Sequence, residues 1–411
     1  MLREMLDRTG IEPRKAAGLL GIDTELFEEW LSNQKSIPQS ILDTLSSVVG
    51  LDLSPYMQRK VASQEAASLT PAIWFRFRGE RLVSEDREFV FLIRRLGNYI
   101  NDLEEVTGAR AVGWKALFQE IRQRVNIQAP PRIQGIEAAN MFRESRGLSS
   151  GADGIGEILR GNLRAMGMLV VESPIPESQL EGCCFYLGNR STESERPCVF
   201  ANSHHTTWFR RNMILLHEVA HAIFDAESAG ATLDFVDEGE PHESLAEQRA
   251  DAFAQQVLAP RQTLVHVTQR SGIKWNELSP RALARVIADV HAEKRTILRS
   301  AFEAGLISME LYAKYGEYDV SALLPSLTQR ALSTSEYIKS LTADEVRWVG
   351  KRTTTTTSRP LRLPMPYVKS VVDVWVAGDI SAGKAAEMLM IDDDTFAERF
   401  AEQNHSDQQF A

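Results

Sequence analysis

The sequence predicts a mainly α-helical protein with one small α+β unit near the middle of the chain. Three observations support this fold class. Apolar residues recur at helical spacing over most of the chain. Three short strand-like runs lie close together between residues 168 and 202, directly before an unusually apolar helix. A helical segment near the N-terminus is repeated near the C-terminus. Together they favour a small sheet beside helices, flanked by two similar helix pairs.

Composition limits the classes of protein that the chain can belong to. Its 411 residues allow several domains, and the net charge of −10 argues against non-specific coating of nucleic acid. Three cysteines without CxxC spacing indicate a reducing compartment. The chain has no apolar run of 18 residues and no apolar core behind its charged start. We therefore expect a soluble cytoplasmic protein without a membrane partner.

The first two regions are predicted to be helical. In residues 1–60, "EPRKAAGLLG" ends at Gly21, and "DTELFEEWL" begins at an N-cap residue that is either Asp23 or Thr24. Two helices joined by a tight turn within this length predict a helix-turn-helix. Residues 61–130 are predicted to form a helical linker domain, which ends near "APPR".

Residues 131–275 are predicted to form the α+β domain. Two helices come first, and strands follow at "MLVVE" (168–172), "CCFYL" (183–187) and "PCVFAN" (197–202). The apolar helix "MILLHEVAHAIFD" follows them, and a second amphipathic helix, "ESLAEQRADAFAQQVLAP", ends at Pro260. The sequence therefore predicts a small sheet packed beside two helices that carry polar motifs.

The C-terminal part contains a helical domain, a linker and a repeat. Residues 276–345 are predicted to be helical, and 346–366 are predicted to be a basic Thr/Pro-rich linker. This linker is either a solvated connector or a contact for a phosphate backbone. In the last region, 367–411, "KAAEMLMIDDDTFAERF" matches "KAAGLLGIDTELFEEWL" of residues 15–31 at eight of 17 positions. The match indicates an internal repeat or two helix pairs that converged.

The apolar helix carries a predicted metal site. His217 and His221 are four residues apart, so both imidazoles lie on one face of the helix and can share a zinc ion. Glu218 lies beside the first histidine, where it can act as a general base on water. This is the HExxH pattern of metallopeptidases. The alternative is a core helix with two histidines that have ordinary hydrogen-bond partners.

A hydrolytic zinc site needs a third protein ligand. Glu247 lies on the second amphipathic helix, and Asp251 follows one turn later on the same face, where it can orient a ligand histidine. Glu243, His242 and Asp225 remain alternative ligands. The alternative for Glu247 is a place on an acidic surface.

Residues near the predicted strands can stabilise an oxyanion. His204, His205 and Tyr186 each offer a hydrogen-bond donor close to the metal helix. The two histidines can equally be ordinary surface residues. An exposed edge strand would in addition pair with an extended peptide substrate.

The three cysteines, Cys183, Cys184 and Cys198, are predicted to be small buried core residues. Adjacent residues of a strand point in opposite directions, so Cys183 and Cys184 cannot share a partner. A redox role or a second metal site is the alternative.

The predicted N-terminal helix pair presents Arg14, Lys15, Thr24, Glu25 and Glu28 as contacts for DNA or a protein partner. Carboxylates on the second helix repel phosphates, so operator binding competes with a protein-docking role.

The stretch "HEVAH" followed by "EQRADAFAQQVLAP" resembles the ImmA/IrrE family of bacterial and phage zinc metallopeptidases, over roughly residues 133–262. The resemblance implies a zincin-like domain of gluzincin type. It implies that His217, His221 and Glu247 hold zinc and that Glu218 is the base. Residues 1–60 also resemble the Xre-type helix-turn-helix that often precedes this domain.

The resemblance implies a regulatory endopeptidase that cleaves a protein partner, a transcriptional repressor of stress, defence or mobile-element genes. The alternative is a DNA-binding regulator or antitoxin whose peptidase-like domain binds a partner or signal, with operator DNA or a toxin as partner. A homodimer is compatible with both. One departure is Asn212, which stands where the family's "RFTLAHE" lead-in carries an arginine. Arg210 and Arg211 are close enough to substitute.

Overall fold

A computed structural model describes residues 13–14, 17, 22–32, 96–97, 99–108, 113–148, 155–173, 180–187, 196–204, 206–225, 231–235, 245–328 and 363–400. Several predictions fall outside these residues. They concern Lys15, His205, His242, Glu243 and most of the 346–366 linker.

The predicted mainly helical fold with a small sheet is confirmed. The described helices, numbered in chain order, are α1 Thr24–Leu31, α2 Gly113–Arg124, α3 Pro131–Ser145, α4 Leu159–Ala165, α5 Trp208–Phe224, α6 Leu245–Leu258, α7 Arg261–Arg270, α8 Pro280–Val290, α9 Lys294–Glu303, α10 Met309–Gly316, α11 Met365–Val376, α12 Ala382–Met388 and α13 Asp393–Phe400. Short 3-10 helices span Trp275–Glu277 and Ser321–Ser326, and residues 99–107 are helical. None of the described helices has the length and the apolar run that crossing a bilayer requires.

The described sheet has four strands, β1 Leu169–Ser173, β2 Leu180–Leu187, β3 Arg196–Asn202 and β4 Ala231–Phe235. Their order is β1-β3-β2-β4, with β1 parallel to β3 and the other pairs antiparallel. Strands β1 to β3 were predicted, whereas β4 was not. Its five residues, "ATLDF", give a weak signal on their own because β4 is defined by its pairing with β2.

The two faces of the sheet belong to two different hydrophobic cores. Val170 and Cys184 point into a large core shared with α5 and α6. Val171 and Cys183 point into a second core on the opposite face. This is the alternation expected of successive strand residues. The predicted burial of the three cysteines is confirmed, and all three are free thiols.

Helices from both ends of the chain cover the face of the sheet that carries Val171 and Cys183. Buried residues of α1 and α11 to α13 share the second core with β1 to β3. Ion pairs tie residues 99–107 to these neighbours: Lys384 Nζ lies 3.0 Å from Asp102 Oδ2, and Arg196 on β3 pairs with Glu104. The sheet is therefore enclosed between two helical layers.

The two copies of the repeat begin their second helices with the same N-cap. Asp23 Oδ1 accepts the Glu25 N–H at 2.8 Å, and Asp392 Oδ1 accepts the Thr395 N–H at 2.7 Å. Of the two N-cap residues considered, Asp23 is the one in place. A capping carboxylate of this kind stabilises a helix by about 1 kcal/mol.

The turns before these caps also match. The Ile22 N–H donates to the Ala17 carbonyl at 2.9 Å, and the equivalent Ile391 N–H donates to Ala386 at 3.1 Å. Met390, which aligns with Gly21, has a φ of 57°. This left-handed conformation suits glycine best, and the first copy carries a glycine at the aligned position, which lies outside the described residues. The assignment of either pair as a helix-turn-helix remains a prediction, as do the domain boundaries.

Candidate metal centre

Helix α5 places the motif residues in a buried position. Thr207 caps its first turn by accepting the Arg210 N–H at 3.1 Å, and the helix runs without glycine or proline to Phe224. Its apolar residues pack on the sheet and on α6. His217, Glu218 and His221 are at most 4% exposed. Because a buried polar group without partners is costly, these side chains have to be satisfied inside the protein.

The structure brings His217, His221 and Glu247 together. His217 Nε2 lies 3.0 Å from His221 Nε2 and 3.0 Å from Glu247 Oε2. His221 Nε2 lies 3.4 Å from Glu247 Oε1. Ligand-type atoms of the three residues lie within 4.8 Å of one another. Two helices, α5 and α6, therefore direct three donor atoms toward one point.

This donor set fits a zinc ion. Tetrahedral zinc with bonds of about 2.0–2.1 Å separates neighbouring ligand atoms by about 3.3 Å. The two Nε2 atoms lie 3.0 Å apart, and the carboxylate of Glu247 approaches one of them to 3.0 Å through Oε2 and the other to 3.4 Å through Oε1, which is close to that value. Two imidazoles and one carboxylate also leave a fourth tetrahedral position for water or substrate.

The far nitrogens of both histidines face carboxylates. His217 Nδ1 lies 3.1 Å from Asp251 Oδ1, and His221 Nδ1 lies 2.9 Å from Asp225 Oδ2. An ionised carboxylate only accepts hydrogen bonds, so each Nδ1 carries the proton. Each Nε2 then presents its lone pair to the shared point, as a metal ligand must.

The electrostatics of the cluster call for a positive charge at its centre. Burial opposes the charged form of His221, but hydrogen bonds with Asp225 and Glu247 outweigh burial and raise the pKa of His221 to about 9. Burial likewise opposes ionised Glu247, but hydrogen bonds with His217 and His221 hold its pKa well below the ordinary value. The same position that stabilises a proton on His221 would stabilise a metal cation.

Glu218 lies in a space that a glycine provides. A Cβ added at Gly182 on β2 would lie 2.8 Å from Glu218 Oε1 and 2.5 Å from Ile214 Cγ2. Gly182 also lies where the β2–β4 register shifts. The glycine thus lets the strand approach α5 closely and leaves room for the fully buried Glu218 side chain.

Two of the residues predicted to stabilise an oxyanion are described. The Tyr186 hydroxyl donates to the Ala222 carbonyl at 2.8 Å, and its ring packs against Trp114. This contact ties the hydroxyl to the backbone of α5, and a catalytic role for Tyr186 remains a prediction. His204 is half-buried in the turn after β3, where its N–H donates to Asn202 Oδ1 at 3.0 Å. A catalytic role for His204 remains a prediction.

Of the residues predicted to contact DNA or a partner, Thr24, Glu25 and Glu28 lie on α1, and Arg14 precedes that helix in the chain. Arg14, Glu25 and Glu28 are exposed, and Thr24 is half-buried. Asp23 is exposed as well. The described part of this surface is therefore rich in carboxylates, and its partner remains a prediction.

Sequence reasoning missed or misplaced three contributors to the site. Asp225 was considered as a third ligand, yet it contacts Nδ1 of His221 and not the converging Nε2 atoms. Arg249 and Gly182 were not considered. An isolated glycine inside the strand pattern "LEGCCFYL" was the available signal for Gly182. The role of Arg249 depends on a contact between separate helices.

A second buried cluster lies near the first turn of α5. Glu172 on β1 accepts hydrogen bonds from Arg160 at 2.6 and 2.7 Å and from Arg211 at 2.9 Å. Burial alone would raise the pKa of Glu172, but the two guanidiniums outweigh burial and lower it to about 2. Asn212, the departure from the family lead-in, accepts a hydrogen bond from Arg160 at 2.6 Å. Arg210 pairs with Glu181 and Glu293.

Comparison with known proteins supports the metallopeptidase interpretation for part of the chain. Residues 163–285 match the model of the peptidase family M78, described as the IrrE N-terminal-like domain. This range contains β1 to β4, α5 and α6, and hence the whole metal-type cluster. It covers less than a third of the chain. No curated protein matches the chain.

Proposed function

We propose that the chain is a regulatory zinc endopeptidase that cleaves a protein partner, a transcriptional repressor. The convergence of His217, His221 and Glu247 carries this proposal, because their donor atoms have the spacing of a tetrahedral zinc shell. The family match over 163–285 supports a metallopeptidase-type domain, and the two flanking helix pairs are compatible with a regulatory protein.

In this proposal the three residues would hold zinc, which would supply Lewis-acid polarisation of the scissile carbonyl. Glu218 follows His217 directly and is buried. It takes a proton from the attacking water as the new C–O bond forms. It then delivers that proton to the amine nitrogen as the C–N bond breaks. Asp251 and Asp225 contact the Nδ1 atoms of the imidazoles, which would leave each Nε2 able to bind zinc.

The sheet offers a place for an extended substrate. Strand β4 lies at one edge of the described sheet, and β2 separates it from β3. A peptide added beside an edge strand gains backbone hydrogen bonds without a fixed sequence. A flexible loop of a folded repressor would suit this binding mode.

We favour a protein partner over operator DNA for the two helix pairs. The exposed side chains of the α1 region include Asp23, Glu25 and Glu28, and those of α13 include Asp393 and Asp394. Carboxylates at these positions repel the phosphate backbone, so both helix pairs suit a protein partner better than DNA.

The proposal is tested by mapping new protein N-termini in cells that express the chain. Wild type is compared with Glu218→Gln, which keeps the zinc residues and removes the base. The matched control is Glu120→Gln, because Glu120 lies on the exposed surface of α2, where it pairs with Arg124. New termini are then reproduced with purified protein and the identified partner.

We expect cleavage of a DNA-binding repressor with wild type and with Glu120→Gln, and none with Glu218→Gln. Equal sets of N-termini in all three samples, together with steep salt-dependent binding of the chain to upstream DNA, would favour the DNA-binding regulator instead.

A further inference from the structure

Arg249 contacts the carboxylate behind the second histidine of the cluster. Its Nη2 donates to Asp225 Oδ1 at 2.5 Å, while the other oxygen of the same carboxylate accepts from His221 Nδ1 at 2.9 Å. Asp225 thus connects the Arg249 guanidinium to the imidazole. The connection joins α6, which carries Glu247, to the C-terminal end of α5.

Asp225 lies at the C-terminal end of α5, and this position explains why a nearby guanidinium stabilises its carboxylate. Asp225 is the C-cap residue of α5, and its N–H donates to the His221 carbonyl at 2.8 Å. The C-terminal end of a helix carries partial negative charge and disfavours a carboxylate. A guanidinium beside Asp225 offsets that repulsion and keeps the carboxylate next to His221 instead of turned toward water.

Arg249 is itself fixed by two further contacts. Its Nη1 donates to Gln134 Oε1 at 3.1 Å, and its Cζ lies 4.5 Å from the centre of the Phe224 ring. The Gln134 Nε2 donates to the carbonyls of Ile127 and Ala129 at 3.1 and 2.8 Å. These two bonds define the amide orientation, so the Gln134 oxygen has to face the guanidinium.

The backbone at Arg249 is held by close helix packing. A Cβ added at Gly135 on α3 would lie 2.3 Å from the Arg249 carbonyl oxygen and 2.9 Å from the Phe253 nitrogen. Helices α3 and α6 therefore touch at this glycine, and α6 cannot shift toward α3. Both ends of the Arg249 residue, backbone and guanidinium, are constrained.

We infer that Arg249 is a positioning residue for the metal, acting through Asp225 on His221. The inference rests on the proposed zinc site. Contacts behind ligand histidines typically change metal affinity about 10- to 100-fold, and a planar guanidinium can hold Asp225 and Gln134 at once. A lysine offers one ammonium group and can replace only part of this arrangement.

The test measures zinc affinity by competition with a chromophoric chelator, and zinc release by rapid mixing with excess chelator. The purified full chain is compared with Arg249→Met, Arg249→Lys, Asp225→Asn and the double variant Arg249→Met/Asp225→Asn. The matched control is Arg285→Met, because Arg285 is an exposed arginine on α8 that likewise pairs with one carboxylate, that of Asp289.

We expect Arg249→Met to bind zinc about 10-fold more weakly or worse and to release it faster. Arg249→Lys should recover part of the loss, and the double variant should be no weaker than Asp225→Asn alone. Arg285→Met should match wild type. Losses of zinc affinity that do not add in the double variant indicate that the two residues act through one contact.

Wild-type affinity in Arg249→Met and Arg249→Lys would overturn the inference while leaving the zinc site intact. Fully additive losses in the double variant would also overturn it. If Arg249→Met does not fold, Arg249→Lys decides, since its affinity should lie below that of wild type. A wild-type chain that binds no zinc would instead overturn the proposed function, and the inference with it.

Discussion

The two ends of α5 carry buried charge in different ways. Near its first turn, Glu172 lies between Arg160 and Arg211, so the cations and the acid belong to the chain itself. Near its last turns, Glu247, Asp251 and Asp225 face two imidazoles, and Arg249 contacts one of these acids. At the first end both guanidiniums donate to the oxygens of one carboxylate. At the second end, three potential ligand atoms face one another.

This difference fits a structural network at the first end and the proposed zinc site at the second. The guanidiniums at the first end lower the pKa of Glu172, and their directed hydrogen bonds use its carboxylate oxygens. The acids at the second end instead favour the charged form of an imidazole and, against the effect of burial, raise the pKa of His221 to about 9. We therefore assign a structural role to the first end and propose that the second end holds a zinc ion.

Removing the base should have the largest effect on activity and little effect on the fold. In Glu218→Gln, proton transfer is lost, and cleavage of the identified partner should fall about 10²- to 10⁴-fold. The zinc content should stay at the wild-type level. Activity and zinc content are measured on the same preparation, and equal loss of both would point to a damaged site instead of a missing base.

Removing the charge of Glu172, near the first turn of α5, should lower the free energy of unfolding. In Glu172→Gln, two guanidiniums lose the charge between them, and the free energy of unfolding should fall by about 3–5 kcal/mol. Glu120→Gln is the control, because its exposed pair with Arg124 should contribute less than about 1 kcal/mol. Both are measured by urea unfolding, and similar small losses would contradict the structural role of Glu172.

Glu172 should also make the zinc-free chain less stable at low pH. The pKa of Glu172 falls from an ordinary value of 4.5 to about 2 on folding, so its contribution is complete above about 4.5. It should then be lost as the pH falls toward 2, at a cost of about 3 kcal/mol. Thermal unfolding of wild type and Glu172→Gln over this pH range, with chelator present, measures the contribution of Glu172. Parallel pH profiles of the two proteins would contradict it.

A smaller effect is expected at Gly182, behind the base. A methyl group there overlaps Ile214 and Glu218, so Gly182→Ala should cost about 1–3 kcal/mol of stability. Cleavage should fall further than the zinc affinity does, because the base moves while the ligands stay. Gly161→Ala is the control, since a Cβ at Gly161 on α4 meets nothing within 4 Å. Identical behaviour of the two variants would show that Gly182 has no role in placing Glu218.

Local sequence patterns predicted the parts of the fold that depend on local structure. The apolar spacing of α5 and α6, the N-cap at Asp23 and the strands β1 to β3 all have signals within a few residues. The HExxH spacing predicted His217 and His221 on one face, and the one-turn spacing of Glu247 and Asp251 predicted a shared face for these two acids; the structure brings the four residues together.

Features that depend on packing between distant segments were not predictable from local patterns. Strand β4 exists because it pairs with β2. Asp225 could serve as a ligand or as a support by spacing alone, and only the geometry of α5 and α6 directs it to Nδ1. Arg249 reaches Asp225 from another helix and is fixed by Gln134 on a third. No periodicity within one segment encodes such contacts.

The zinc content of the purified full chain tests the central claim most directly. It is measured after reconstitution and removal of loosely bound metal, for wild type, Glu247→Ala and Glu243→Ala. The proposed site predicts about one zinc per chain in wild type and Glu243→Ala, and a loss of zinc in Glu247→Ala. A wild type that takes up no zinc, or a Glu247→Ala variant that holds it as tightly, would contradict the assignment of this cluster as a zinc site.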